Sequence, residues 1–154
     1  MKLGLLTAAF PDLTLGQVAE WAAGEGFQAL EIACWPAGGG ERRRYAGVTH
    51  IDVESLDADA VHEVMGRHGL TISSLAYYPN NLHPDDGHRA EVNGHLRKVV
   101  DAAARLGVPT VGTFVGNDKD RPLPENLERF RAVWPELVAH ASDQGVRIAI
   151  ENCP

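Results

Sequence analysis

The sequence predicts an α/β fold, a parallel (β/α) repeat making a partial TIM barrel of about five strands and four helices. Three observations predict it. First, four times a helical stretch with a polar face ends in glycine and an apolar strand begins at the next residue: Glu25-Gly26-Phe27, His68-Gly69-Leu70, Leu106-Gly107-Val108 and Gln144-Gly145-Val146. Glycine suits this junction because the residue after a helix often takes a left-handed conformation that a Cβ penalises. Second, the strand starts recur 43, 38 and 38 residues apart, from Phe27 to Leu70, Val108 and Val146. Third, no Gly-x-Gly-x-x-Gly follows the first strand, where an open dinucleotide-binding sheet needs one.

The first strand is read over Leu3 to Thr7. The next four run from Phe27 to Ala33, Leu70 to Ala76, Val108 to Phe114 and Val146 to Glu151. All are short and largely apolar, as expected of strands covered on both faces. Between them, apolar residues recur at helical spacing. They are Leu15, Val18, Ala19 and Ala22; then Val61, Val64 and Met65; then Leu96, Val99, Val100 and Ala103; then Leu127, Phe130, Val133, Leu137 and Val138. Pro84-Asp85-Asp86 and Pro122-Leu123-Pro124-Glu125 read as helix entries, and Pro135 is expected to kink or split the fourth helix. The long loop after the second strand holds Ala37-Gly38-Gly39-Gly40 and reads as a lid or excursion.

The 154 residues fit a single domain, 1–154, read as the N-terminal portion of a (β/α)8 barrel. A TIM barrel takes eight such units and about 250 residues, so the chain is expected to be part of a longer product and inactive alone. A half-barrel that pairs with itself is the competing reading, since the first and fifth strands are otherwise open edges.

Composition narrows the function. The formal net charge is −7, which disfavours a broad nucleic-acid-binding face. The two cysteines, Cys34 and Cys153, form no Cys-x-x-Cys pair and lie on strands that are not barrel neighbours, so free thiols in a reducing cytoplasm are expected. The apolar start Met1 to Leu6 is too short for a signal peptide, and no segment reaches the roughly 20 apolar residues that a membrane span needs.

In a barrel, chemistry sits at the C-terminal ends of the strands. Those ends carry Phe10-Pro11-Asp12, Cys34-Trp35-Pro36, Tyr77 to His83, Gly116-Asn117-Asp118 and Glu151-Asn152. Glu151 stands out as a carboxylate closing an apolar strand, where a charge is costly unless paired, hydrogen-bonded or bound to a metal. A salt-bridged structural glutamate is the alternative. Phe10 and Trp35 could wall a sugar ring, or simply pack in the core. His83 could bind a substrate hydroxyl or phosphate, or be a solvated loop residue. Arg42-Arg43-Arg44 could meet a phosphate, although such a run is usually solvated. His50 lies in a long loop and is a weaker candidate. His62, His68, His88, His95 and His140 fall on helices and are expected at the surface.

The run Gly145-Val146-Arg147-Ile148-Ala149-Ile150-Glu151-Asn152-Cys153-Pro154 resembles the fifth strand of the xylose-isomerase-like sugar phosphate isomerase/epimerase family. Ala104-Arg105-Leu106-Gly107-Val108-Pro109-Thr110-Val111-Gly112 resembles that family's fourth helix–strand junction, and Gly24-Glu25-Gly26-Phe27-Gln28-Ala29-Leu30-Glu31-Ile32 its second. The resemblance spans the chain. It implies a TIM barrel holding a divalent metal (Mn, Mg or Zn), with Glu151 as metal ligand and proton carrier and the remaining ligands outside this chain. It implies a metal acting as Lewis acid, carboxylates moving a proton through an enediolate, and a small sugar or sugar phosphate as substrate. A homo-oligomer is compatible with it. The alternatives are a non-catalytic half-barrel for binding or assembly, and an AP-endonuclease-like nuclease on the same fold. Against the nuclease, the ends of the third and fourth strands read Ala76-Tyr77-Tyr78 and Thr113-Phe114-Val115, without histidine.

Overall fold

The four glycines that punctuate the sequence all take left-handed backbone angles, with φ of +83° at Gly26, +66° at Gly69, +66° at Gly107 and +70° at Gly145. In a computed structural model that describes residues 1–38 and 47–151, each glycine closes a helix in the same way. The residue after it donates back into the helix: Phe27 N–H to Ala22 O at 2.9 Å, Leu70 to Met65 at 3.0 Å, Val108 to Ala103 at 2.8 Å and Val146 to Ala141 at 2.9 Å. These are the long bonds of the Schellman closure. They correct the strand starts expected from the sequence, because Phe27, Leu70, Val108 and Val146 finish a helix before the chain extends.

The strands are β1 (Gly4–Leu6), β2 (Ala29–Ala33), β3 (Thr71–Ala76), β4 (Thr110–Phe114) and β5 (Arg147–Glu151). They form one parallel sheet in the order β1-β2-β3-β4-β5. The helices are α1 (Leu15–Gly24), α2 (Ala58–Arg67), α3 (Asp86–Arg105) and α4 (Leu123–Asp143). Side-chain caps start three of them. Thr14 and Gln17 form a reciprocal capping box on α1, Asp57 accepts from Ala60 N–H on α2, and Asp85 accepts from His88 N–H on α3. Helix α4 starts after Pro122 and runs as one helix through Pro135, so of the kink or split expected there the split does not occur. Pro135 and Arg131 both face solvent, where a carbonyl that loses its helical donor can be hydrated.

Alternation along the strands divides the sheet's two faces. Leu5, Leu30, Ile32, Leu75, Val111 and Ile148 pack outward against Ala22, Met65, Leu96, Val99, Val100 and Leu137 of the helices. Fully burying one such leucine or valine contributes roughly 1.5–3 kcal/mol. The opposite face carries Leu6, Glu31, Ser74, Ala76, Gly112, Phe114, Ala149 and Glu151, aligned by the register pairs Leu6–Glu31, Glu31–Ser74, Ala76–Gly112, Gly112–Ala149 and Phe114–Glu151. Between Leu30 and Glu31 the register slips by one residue, and Ser73 Oγ donates to Leu30 O at 3.1 Å across the irregularity. Strand β2 is almost wholly covered, whereas every residue of β5 except Ile148 is exposed. The expectation that all strands are covered on both faces therefore holds for β2 and fails at the start of β3, where Thr71 and Ser73 are exposed, and on the edge strands β1 and β5, which each pair on one side only.

Candidate functional site

At the C-terminal end of the sheet lies a cavity of about 390 Å³, within the range of small-ligand pockets. Leu6, Ala8 and Ala9 line it from the end of β1, Trp35 from beyond β2, Tyr78 from beyond β3, Phe114 from the end of β4 and Glu151 from the end of β5. The aromatic side chains meet one another: Tyr78 packs on Phe114 with ring centroids 4.8 Å apart and faces Trp35 at 6.2 Å. The lining is thus largely apolar, with one carboxylate at its edge.

Two residues singled out from the sequence, Trp35 and Glu151, come together here. Phe10 instead packs on Trp21, centroids 4.8 Å apart, and is not part of this lining. His83 also lies outside the lining. Its Nδ1 accepts from Asp85 N–H at 3.1 Å and its ring meets His88 edge-on, so it dresses the start of α3. Arg42, Arg43 and Arg44, together with Asn152 and Cys153, lie outside the described residues. Glu151 is solvent-exposed on an edge strand, which corrects the picture of a carboxylate at the end of a buried strand.

Sequence reasoning missed Glu31. It sits on the inner face of β2 and its Oε1 accepts from Tyr78 Oη at 2.6 Å. Burial pushes the Glu31 carboxyl above the usual carboxylate range and the nearby Glu151 charge adds to this, while the Tyr78 hydrogen bond pulls the other way. Burial and the Glu31 carboxylate together push the Tyr78 phenol well above its ordinary value, so it stays a hydrogen-bond donor at neutral pH.

His95 corrects another expectation. Rather than lying at the surface, it is buried, with Nε2–H donating to Cys34 O at 2.8 Å and its ring edge-on to Tyr77 at 4.7 Å. It thereby holds the backbone just before Trp35, and burial lowers its proton affinity. Cys34 is a free, buried thiol, pushed up in pKa by that burial. In the loop after β3, Asn81 is fully buried and donates to Thr113 Oγ1 at 3.0 Å and Phe114 O at 2.6 Å. Asn80 bridges the same two loops, donating to Asn117 O at 2.7 Å and accepting from Asn117 N–H at 2.9 Å.

For a metal, the described residues offer too little. Among them no three His, Cys, Asp or Glu side chains converge, and Glu151 is a single donor. A catalytic divalent ion normally takes three or more protein ligands. Among the described residues, no helix is long and apolar enough to cross a membrane.

With this geometry in hand, comparison with known proteins identifies the chain. A family model described as xylose isomerase-like TIM barrel matches residues 19–154. The chain belongs to the xylose isomerase-like TIM barrel family. No curated protein sequence matches it. Among solved structures, a D-tagatose 3-epimerase-like protein superposes with a TM-score of 0.71 at 21% identity, over 100% of this chain and 54% of that one. D-psicose 3-epimerase from Clostridium cellulolyticum H10, solved with D-tagatose, gives a TM-score of 0.70 at 18% identity, over 97% and 52%. The IolI protein, solved with a bound zinc atom, gives 0.69 at 20% identity, over 97% and 51%. Likeness at this identity establishes the shared fold, and the chain spans about half the length of each of these structures. The parallel (β/α) repeat and partial TIM barrel read from the sequence are the fold of this family.

Proposed function

We propose that this xylose isomerase-like chain serves a sugar or sugar-phosphate isomerase or epimerase that works by proton transfer through an enediolate. The observation that carries the proposal is Glu151 at the edge of a largely apolar cavity of about 390 Å³ walled by Trp35, Tyr78 and Phe114. Aromatic faces suit the C–H face of a sugar, and an exposed carboxylate is available to accept a proton from the carbon beside a carbonyl. Removing that proton leaves an enediolate, and its return to the other face or the neighbouring carbon gives the epimer or isomer. The names of similar structures, a D-tagatose 3-epimerase-like protein and a D-psicose 3-epimerase solved with D-tagatose, support a small sugar as ligand.

The five-stranded sheet is proposed to work as part of an eight-stranded barrel, its open β1 and β5 edges covered by further strands. Glu151 would supply one ligand to a divalent cation (Mn, Mg or Zn), as the zinc in the IolI structure supports, with the other ligands outside the described residues.

The test is epimer or isomer formation by the intact natural protein on a panel of ketoses and their phosphates, followed by NMR with each cation added. Turnover that falls by about 10²–10⁴ in Glu151→Gln supports the proposal. Absence of turnover on every sugar, or turnover unaffected by Glu151→Gln, overturns it. A stable, metal-free and inactive self-assembly would favour the half-barrel assembly role, which exposed Ile150 on β5 and exposed Leu3 just before β1 support.

A further inference from the structure

We propose that Glu31 is a positioning residue: by holding the Tyr78 hydroxyl across Gly112 it fixes the floor of the cavity, and so the length of sugar that fits. This rests on the sugar-binding reading above for its ligand, but its geometry stands apart from it.

The register shows how unusual the arrangement is. Ala33, Ala76 and Gly112 form one row across the inner face, and Glu31 and Ser74 lie in the row below, nearer the strand starts. Tyr78 leaves the chain two residues beyond Ala76, above that row, yet its Oη reaches Glu31 Oε1 at 2.6 Å. The side chain therefore folds back down the inner face and crosses Gly112. The glycine is what lets it pass. A Cβ at position 112 would stand 2.7 Å from Glu31 Oε1, closer still to Tyr78 Oη and 3.1 Å from Tyr78 Cζ.

The packing explains why this sets the floor. A TIM barrel interior is normally filled by Val, Ile and Leu. Here Ala33, Ser74, Ala76, Gly112 and Ala149 leave that space open, and the Tyr78 ring occupies it. The same ring lines the cavity against Trp35 and Phe114. A half-buried carboxylate is a costly means of filling volume, since an apolar side chain would fill it without desolvation. What it adds is a fixed acceptor that pins the ring at one height.

The experiment compares the intact natural protein with Glu31→Ala, Glu31→Gln and Gly112→Ala, using erythrulose, xylulose and fructose as ketoses of rising length. Gln keeps an acceptor for the Tyr78 hydroxyl and Ala does not. The expected result is a fructose-to-erythrulose ratio of kcat/KM that shifts about tenfold in Glu31→Ala and returns to wild type in Glu31→Gln. In Gly112→Ala, which lifts the ring into the cavity, the same ratio falls by about tenfold. A ratio unchanged in Glu31→Ala, or equally shifted in Glu31→Gln, overturns the proposal. Near-ultraviolet circular dichroism of the aromatic cluster needs no substrate. It should change in Glu31→Ala and not in Glu31→Gln, and the reverse or no difference overturns the proposal even if the wild type turns over no sugar. Should wild type be inactive while this spectral pattern holds, the isomerase reading falls and the positioning role stands. If Glu31→Ala does not fold, Glu31→Leu takes its place, filling a similar volume without an acceptor.

Discussion

Replacing Asn81 with alanine should weaken the protein by about 2 kcal/mol and loosen two walls of the cavity together. Asn81 is fully buried, and its Nδ2 donates both to Thr113 Oγ1 and to Phe114 O. Without it the Phe114 carbonyl loses a donor in a half-buried place, at about 1–3 kcal/mol, and the buried Thr113 hydroxyl loses its hydrogen bond at a further cost of roughly 0.5–1 kcal/mol. The space left by the amide adds about 1 kcal/mol. Against this, Asn81 Oδ1 has no partner among the described residues, so deleting it returns about 1 kcal/mol. The net of about 2 kcal/mol corresponds to a fall in Tm of about 4–8 °C for a domain of this size. Urea unfolding monitored by circular dichroism measures it, with Asn81→Leu as control, since leucine fills the space while still removing the donor. A change below about 0.5 kcal/mol in Asn81→Ala would refute the view that this amide ties the loop after β3 to the end of β4.

Three further outcomes follow from the same structure. Glu31→Gln should raise Tm at neutral pH: a carboxyl raised by burial contributes stability at acid pH that is lost as pH rises through its folded pKa, so the variant's advantage should shrink toward pH 4.5, the ordinary value. His50 and His95 have proton affinities lowered chiefly by burial, so the stability they lend is present above about pH 6.5 and lost as pH falls below it. Thermal melts across that window should show the loss, and His95→Gln should flatten the curve. Gly116→Ala should destabilise by at least about 1–2 kcal/mol in urea unfolding, because φ there is +83° and a Cβ would stand 2.6 Å from the backbone nitrogens of Asn81 and Leu82.

The repeat was legible because its punctuation is local. A glycine that must turn left-handed after a helix, followed by an apolar residue that closes it, is written in adjacent positions. Glu151 and Trp35 were legible for the same reason, since one closes a strand that the glycine locates and the other lies two residues beyond such a strand. His95 was in reach and misread: it lies three residues after Val92 and four before Val99, on the apolar stripe of α3 that the core covers. Glu31 carried a weaker signal, a lone carboxylate within Ala29-Leu30-Glu31-Ile32-Ala33. Alternation groups it with Ala29 and Ala33 but does not say which face is the barrel's, because both faces of β2 are covered. Its bond to Tyr78, 47 residues away, depends on a register slip and a glycine on a third strand, which no local pattern encodes. Phe10 and His83 looked like mouth residues from their position alone, but Trp21 and the start of α3 engage them.

The central claim is that Glu151 moves a proton at the carbon beside a sugar carbonyl. Incubating the intact natural protein with a ketose in D2O and following deuterium entry at that carbon by NMR tests it most directly. Exchange at the carbon next to the carbonyl is expected in the wild type, slowed by about 10²–10⁴ in Glu151→Gln. Deuterium entry that proceeds equally in both proteins, or in neither, would contradict it.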